Sequence, residues 1–189
     1  MVPAVFRVLL DANVLFPFSL RDNLLRAADA GYFQLYWSDR ILEEARRNLV
    51  GRGVINEEQA EHLFSTMRRA FPEAAVTDFE SLIERMPNDE KDRHVLAAAV
   101  RAGAQTIVTF NTKDFRPLPD GIEAQSPGAF LGHLFDLDPP TMLDLLRRQA
   151  QALKRPRKTF EELLDGLSKT VPAFVMAVRR HLASASGGL

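Results

Sequence analysis

Oxygen donors occur in this chain at positions where an ordinary surface role is a poor explanation. In "VLLDANVLF", residues 8–16, Asp11 and Asn13 stand between two apolar pieces. In "DRHVLAAAVRAGA", Asp92 falls on a helical wheel in line with Val95, Leu96, Ala99 and Gly103, so a carboxylate shares the apolar stripe. That register is costly unless the free N–H groups of a first helical turn, or a cation, satisfy the charge. "TIVTFNTKDF" ends a β-branched run with Thr109, Asn111 and Asp114. In "ILEEARRNL" the stripe Ile41, Leu42, Ala45 and Leu49 puts Glu44 at its boundary and Glu43 farther toward solvent. Clusters built only from oxygen ligands serve hard divalent cations such as Mg2+ or Mn2+. The everyday alternatives are helix capping by Asp11, Asn13 or Asp92, and an arginine-paired Glu44 on a solvated face.

The elements that must position these groups follow from periodicity. "FRVLL", "FQLYWS", "AVTDF" and "QTIVTF" read as strands. Between them lie helices over "LRDNLLRAADAGY", "SDRILEEARRNLVGRG" with Ser38 as N-cap, "NEEQAEHLFSTMRRAF" with the Asn56 to Gln59 capping-box offset, "ESLIERM", and "DRHVLAAAVRAGA" closed by Gly103. Strands alternating with helices predict an α/β fold with a mainly parallel central sheet flanked by helices. Asp11 with Asn13, and Thr109 with Asn111 and Asp114, then sit past the carboxyl ends of two strands, the edge where parallel sheets expose groups to ligands. From about residue 136 the pattern is helical only, over "PPTMLDLLRRQAQALK", "TFEELLDGL" with the Thr159 to Glu162 capping box, and "VPAFVMAVRRHL". Two parts are expected: residues 1–135, and a helical extension over 136–189.

No cysteine is present, which excludes disulfides and thiolate metal sites. No apolar run approaches the roughly 18 residues of a membrane span, and the first residues lack the basic-then-apolar order of a signal peptide, so a cytoplasmic location without a membrane is expected. Residues 1–135 carry 15 Lys and Arg against 19 Asp and Glu; residues 136–189 carry 9 against 6. An acidic body with a basic segment suits an acidic site and a separate polyanion-binding surface. "KRPRK", residues 154–158, concentrates that charge in Lys154, Arg155, Arg157 and Lys158, read either as RNA-phosphate contacts or as a solvated linker. The neighbouring Leu145, Leu146, Leu163, Leu164, Phe174 and Val178 form apolar faces. His94 lies on the far side of the wheel from the Asp92 stripe, so it is expected at solvent or an interface rather than in the site.

The order "LLDANVLF", "SDRILEEARRNL", "DEKDRHVLAAAVRAGAQTIVTFNTKDF" resembles the PIN domain, the three-layer fold of the VapC-type toxins of bacterial toxin–antitoxin pairs. The resemblance covers roughly residues 5 to 135 and rests on three separated motifs in the right order. It implies a Mg2+- or Mn2+-dependent ribonuclease that leaves 5′-phosphate and 3′-hydroxyl ends. Its catalytic acids would be Asp11, Glu44, Asp92 and Asp114, with Asp11 and Asp92 as principal metal ligands and Asn13, Thr109 and Asn111 in support. Many members carry an acid where this chain has Asn111, and Asp114 is the candidate replacement. The resemblance further implies an RNA substrate, inhibition of translation, a small cognate antitoxin and a homodimer. The rival within the same fold is a catalytically inactive RNA- or partner-binding module. A haloacid-dehalogenase-like phosphatase would need an aspartate where Asn13 stands, and no nucleotide-binding glycine motif is present.

Overall fold

The computed structural model describes residues 6–154 and 156–186; Arg155 lies outside them. In chain order the elements are β1 (Arg7–Leu10), α1 (Ala12–Leu15), α2 (Phe18–Asp29), β2 (Gln34–Tyr36), α3 (Asp39–Gly51), α4 (Glu57–Ala70), α5 (Arg93–Ala102), β3 (Thr106–Val108), β4 (Glu123–Gln125), α6 (Pro127–Leu137), α7 (Pro139–Ala152), α8 (Phe160–Ser168) and α9 (Pro172–Ser186), with short 3-10 turns between α4 and α5 and after β3. Internal contacts divide the chain into two compact units. One holds the described residues up to Phe16 together with Phe33–Ser126, the other Pro17–Tyr32 together with the described residues from Pro127 onward.

The first unit is a four-stranded parallel sheet in the order β2-β1-β3-β4, flanked by helices. Val8, Leu9, Leu10, Thr106, Ile107 and Val108 are all buried, the near-continuous run expected of strands covered on both faces. β1 and β3 lie side by side with Leu10 opposite Val108, and the Asp11 N–H donates to the Val108 carbonyl at 3.1 Å. The residues just past both strands therefore emerge together. Ser38 caps α3 by accepting from the Ile41 N–H, and Asn56 and Gln59 form the complete capping box of α4. α5 stops at Gly103, whose φ of 62° suits glycine; an added Cβ would also meet Arg7 Nη1 at 3.1 Å.

Two expected elements differ. "AVTDF" is not a strand: Ala75 makes a single bridge to Trp37, and Asp78, at φ 59°, turns the backbone out of the extended region. "ESLIERM" forms a 3-10 rather than an α-helix, over Glu80–Arg85.

In the second unit α2 packs with α7 and α8, α6 with α9, and α8 with α9. Leu20, Leu24, Phe130, Leu131, Leu145, Leu146, Leu163, Leu164, Phe174 and Val178 are buried. Gln149, also buried, accepts from Asn23 Nδ2 at 3.1 Å and donates to the Ser19 carbonyl at 2.8 Å. This unit starts at Pro127 rather than at residue 136 and recruits α2 from the N-terminal region, because the Leu20 and Leu24 face of α2 belongs to the helical core. No described helix is long and apolar enough to cross a membrane.

Candidate active site

Asp11 is the residue that β1 delivers to the carboxyl edge, and it is 4% exposed. One oxygen does cap: Oδ1 accepts from the Ala12 N–H at 2.7 Å, starting α1. The other has a different use. Oδ2 accepts from Thr109 Oγ1 at 2.7 Å and from Asn13 Nδ2 at 2.8 Å. Thr109 Oγ1 in turn accepts from Asn13 Nδ2 and from the Asn111 N–H, and Asn13 Oδ1 accepts from the Phe110 N–H. Asn13 and Thr109 thus bind the exits of β1 and β3 into one hydrogen-bonded frame around a single carboxylate. The cost remains visible: burial pushes the Asp11 carboxyl up to about 6, against the lowering effect of Thr109 and Ala12, with smaller upward contributions from the charges of Asp92 and Glu44.

Asp92 stands at the N-cap position of α5, but its side chain makes no capping bond. Its Oδ2 is buried without a hydrogen-bond partner; the nearest cation is Lys91 Nζ at 3.9 Å. Burial is again the main cause of an upward shift, opposed by Lys91 and reinforced by Asp114, Asp89 and Glu44. The capping explanation therefore accounts for half of Asp11 and for none of the Asp92 side chain.

Glu44 is half-exposed at the edge of the α3 stripe, where the spacing puts it, and Glu43 is occupied by Arg46. Its partner differs from the sequence expectation. His94 is 2% exposed, and its Nε2 lies 3.5 Å from Glu44 Oε2. The imidazole holds the Glu44 carboxyl below the ordinary glutamate value, so mutual repulsion does not raise every acid of the group. The helical wheel failed for His94 because residues 94–99 are all buried: the start of α5 has no solvent side. Asp114, in the 3-10 turn after β3, pairs with Lys91 at 2.9 Å, and its charge reaches Asp92. Asn111 is exposed. Sequence reading passed over Lys91, whose position one residue before Asp92 was its only signal, and Asp89, which caps the turn leading to Asp92 by accepting from the Lys91 N–H.

The donors suit a hard divalent cation. Two desolvated carboxylates have raised pKa values, one buried oxygen is unpartnered, and nitrogen or sulfur donors do not dominate. Among the described residues no three His, Cys, Asp or Glu side chains form a metal-binding group. Mg2+ does not need one, since it is commonly held by one or two carboxylates with water and substrate phosphate completing its shell.

A sequence model described as the PIN domain matches residues 7–113, from the start of β1 to the turn carrying Asp114. The chain belongs to the PIN domain family. A second model, the VapC50 C-terminal domain, matches residues 127–180, the helical stretch that begins with α6. The chain is also 38% identical over 130 residues to the protein named "Putative ribonuclease VapC50" of Mycobacterium tuberculosis (strain ATCC 25618 / H37Rv), across 65% of this chain and 77% of that protein. No solved structure matches. PIN domains are typically metal-dependent, in keeping with the donor chemistry around Asp11 and Asp92.

Proposed function

We propose that this PIN protein is a Mg2+- or Mn2+-dependent ribonuclease, the toxin of a toxin–antitoxin pair that inhibits translation. The observation that carries the reading is the pairing of a framed, buried Asp11 with an Asp92 whose buried Oδ2 lacks a partner. Asp11 and Asp92 would hold the cation, with Glu44 and Asp114 completing the catalytic acids and Asn13, Thr109 and Asn111 in support. When bound, the cation supplies charge neutralisation for the phosphodiester and a lowered pKa for the attacking water. The remaining work belongs to the chain. Thr109 and Asn13 fix the orientation of the Asp11 carboxylate, the kind of outer support that ligands commonly need. His94 Nε2 stands 3.5 Å from Glu44 Oε2 and holds that carboxyl below its ordinary value, so that Glu44 is a carboxylate able to accept a hydrogen bond from water approaching the phosphate. Asp114 is held by Lys91 and is the carboxylate available where other members have an acid at the Asn111 position.

The same family reading proposes a small antitoxin that blocks the site, an arginine being well suited to pair with these carboxylates, and a homodimer as the working form. One observation keeps an inactive RNA-binding module as the second reading: Asn111 offers no charge, and three acids are not preassembled as a cage. Incubating the purified protein with total RNA in Mn2+, in Mg2+ and in chelator, with end mapping, decides between them. Metal-dependent fragments bearing 5′-phosphates support the nuclease; binding without cleavage in either metal supports the module.

A further inference from the structure

The second unit carries a cation cluster that the acidic site does not use. α7 ends at Ala152, and shortly beyond it Lys154 and Arg157 pair across an isolated antiparallel bridge. Residues directly opposite in such a bridge project to the same face, and like charges placed that way repel. A cavity of about 500 Å³ opens here, lined by Ala150, Gln151, Leu153, Lys154, Arg157 and Lys158. Four acids of this unit are engaged with other cations: Asp22 with Arg26, Asp144 with Arg148, and Glu161 and Asp165 with Arg179. Among the described residues none pairs with Lys154, Arg157 or Lys158. By sequence this unit holds 11 Lys and Arg against 8 Asp and Glu, a net positive balance to which the cluster contributes.

We propose that this cavity is a phosphate-binding subsite for the backbone of single-stranded RNA. The choice of RNA as the anion rests on the ribonuclease reading above. Three cationic residues line one concavity, and the bridge sets Lys154 and Arg157 on the same side of the backbone, where an anion would relieve the repulsion of like charges. Gln151 can donate to a phosphate or sugar oxygen. The lining contains no aromatic ring on which a base could stack, so the subsite grips backbone and reads no sequence. Arg155 of the same basic run lies outside the described residues and is not part of the assignment.

The test measures binding of a labelled single-stranded oligoribonucleotide, by anisotropy in chelator across a salt series, to the full-length protein and to K154S/R157S/K158S. Removing one cation that neutralises a phosphate should lower the slope of log affinity against log salt by about 0.7. Removing all three should flatten it by about 2, so that the extra affinity the wild type gives up between 50 and 200 mM salt, roughly twenty-fold, disappears in the variant. The single substitution Arg157→Ser should produce about one third of the slope change, and K154R/K158R should keep the wild-type slope. An unchanged slope in a triple variant with a wild-type circular dichroism spectrum overturns the subsite. If the triple variant does not fold, an unchanged slope for Arg157→Ser overturns it equally. An equal drop in affinity for an acidic peptide of matched charge would also overturn it, and would identify a protein-docking surface instead. Cleavage of total RNA by the same preparations keeps the parent reading separate. A wild type that binds with the expected slope and cuts nothing sinks the nuclease, whereas one that cuts but binds alike with or without the three cations sinks only the subsite.

Discussion

Asp11, buried, and Asp92, half-buried with one buried oxygen, belong to one acidic neighbourhood, yet the chain holds them by opposite means. Around Asp11 three donors and a hydrogen-bonded frame fix the side chain, so its charge is oriented before any ligand arrives. Around Asp92 the segment 88–94 leaves polar atoms unmet: Asp92 Oδ2, His94 Nδ1 and both amide atoms of Asn88 are buried without partners. The first arrangement gives up some electrostatic freedom for precision, and the second leaves a debt for a bound species to settle. A site that must recruit a cation benefits from one rigid ligand and one unsatisfied one, because the rigid ligand sets the position while the unsatisfied one gains most on binding.

The largest expected effect removes either side of this contrast. Asp11→Asn and Asp92→Asn should each lower metal-dependent RNA cleavage by more than about a hundred-fold, since even groups that only orient a metal ligand commonly cost 10- to 100-fold when removed. Wild-type melting temperatures should rise with added Mg2+ or Mn2+, and both variants should lose most of that rise. Full cleavage by either folded variant would end the assignment of the site.

Breaking only the frame should do less. Thr109→Val keeps the volume and removes the hydroxyl that donates to Asp11 and accepts from Asn13 and the Asn111 N–H, so cleavage should fall about 10- to 100-fold with Asp11 still in place. Thr109→Ser should retain most activity. Losing the buried hydroxyl's bond to the Asp11 carboxylate should cost about 1–3 kcal/mol in urea unfolding. A Val variant with wild-type rates would reduce the frame to a structural clasp.

The exits of β1 and β3 were the most legible part of the site. Asp11, Asn13 and Thr109 follow strands whose apolar runs are unambiguous, and parallel pairing in register brings them together. The capping signals at Ser38, Asn56 and Thr159 were equally readable, because each depends on contacts within four residues. β4 was missed: its three residues, Glu123–Gln125, hold no apolar or β-branched run and form a strand by pairing with β3. α6 was missed as well; Gly128 and Gly132 weaken its local helical signal, and packing against α9 supports it. The transfer of α2 to the helical unit, and the burial of His94, depend on tertiary partners that spacing along one helix does not encode.

Protonation provides a subtler way to compare the two carboxylates. With its carboxyl raised from 3.8 to about 6, folded Asp11 holds its proton where the unfolded chain has already released it. This favours the folded state below about pH 4, and the benefit is lost as pH rises toward and through 6; at neutral pH the buried charge opposes folding. Asp11→Asn should therefore stabilise the inactive protein at pH 7 by up to about 3 kcal/mol, less whatever its amide loses by facing the Asn13 and Thr109 donors. The gain should shrink as pH falls below 6 and be absent near 4. Chemical denaturation across that range checks it, and a gain that grows toward low pH would contradict the burial of an ionised Asp11.

The smallest effect should come from Lys91, the exposed cation that stands 2.9 Å from Asp114 and 3.9 Å from Asp92 Oδ2. Without a divalent ion, Lys91 is the only near positive charge that the orphan oxygen meets among the described residues. Its own ammonium is held above the ordinary lysine value, first by the Asp114 hydrogen bond and then by the charges of Asp114 and Asp92. If the carboxylates are a cation site, Lys91 competes for it. Lys91→Met keeps the aliphatic stem and removes the competitor, so the Mg2+ concentration at half-maximal thermal shift should fall by about two- to five-fold, the scale of an exposed ion pair. Cleavage at saturating metal should stay close to wild type unless Asp114 needs Lys91 to keep its place. Weaker Mg2+ binding in Lys91→Met would mean that the lysine organises Asp114 for the metal rather than standing in for it, and Asp114→Asn should then reproduce that weakening in the wild-type Lys91 background.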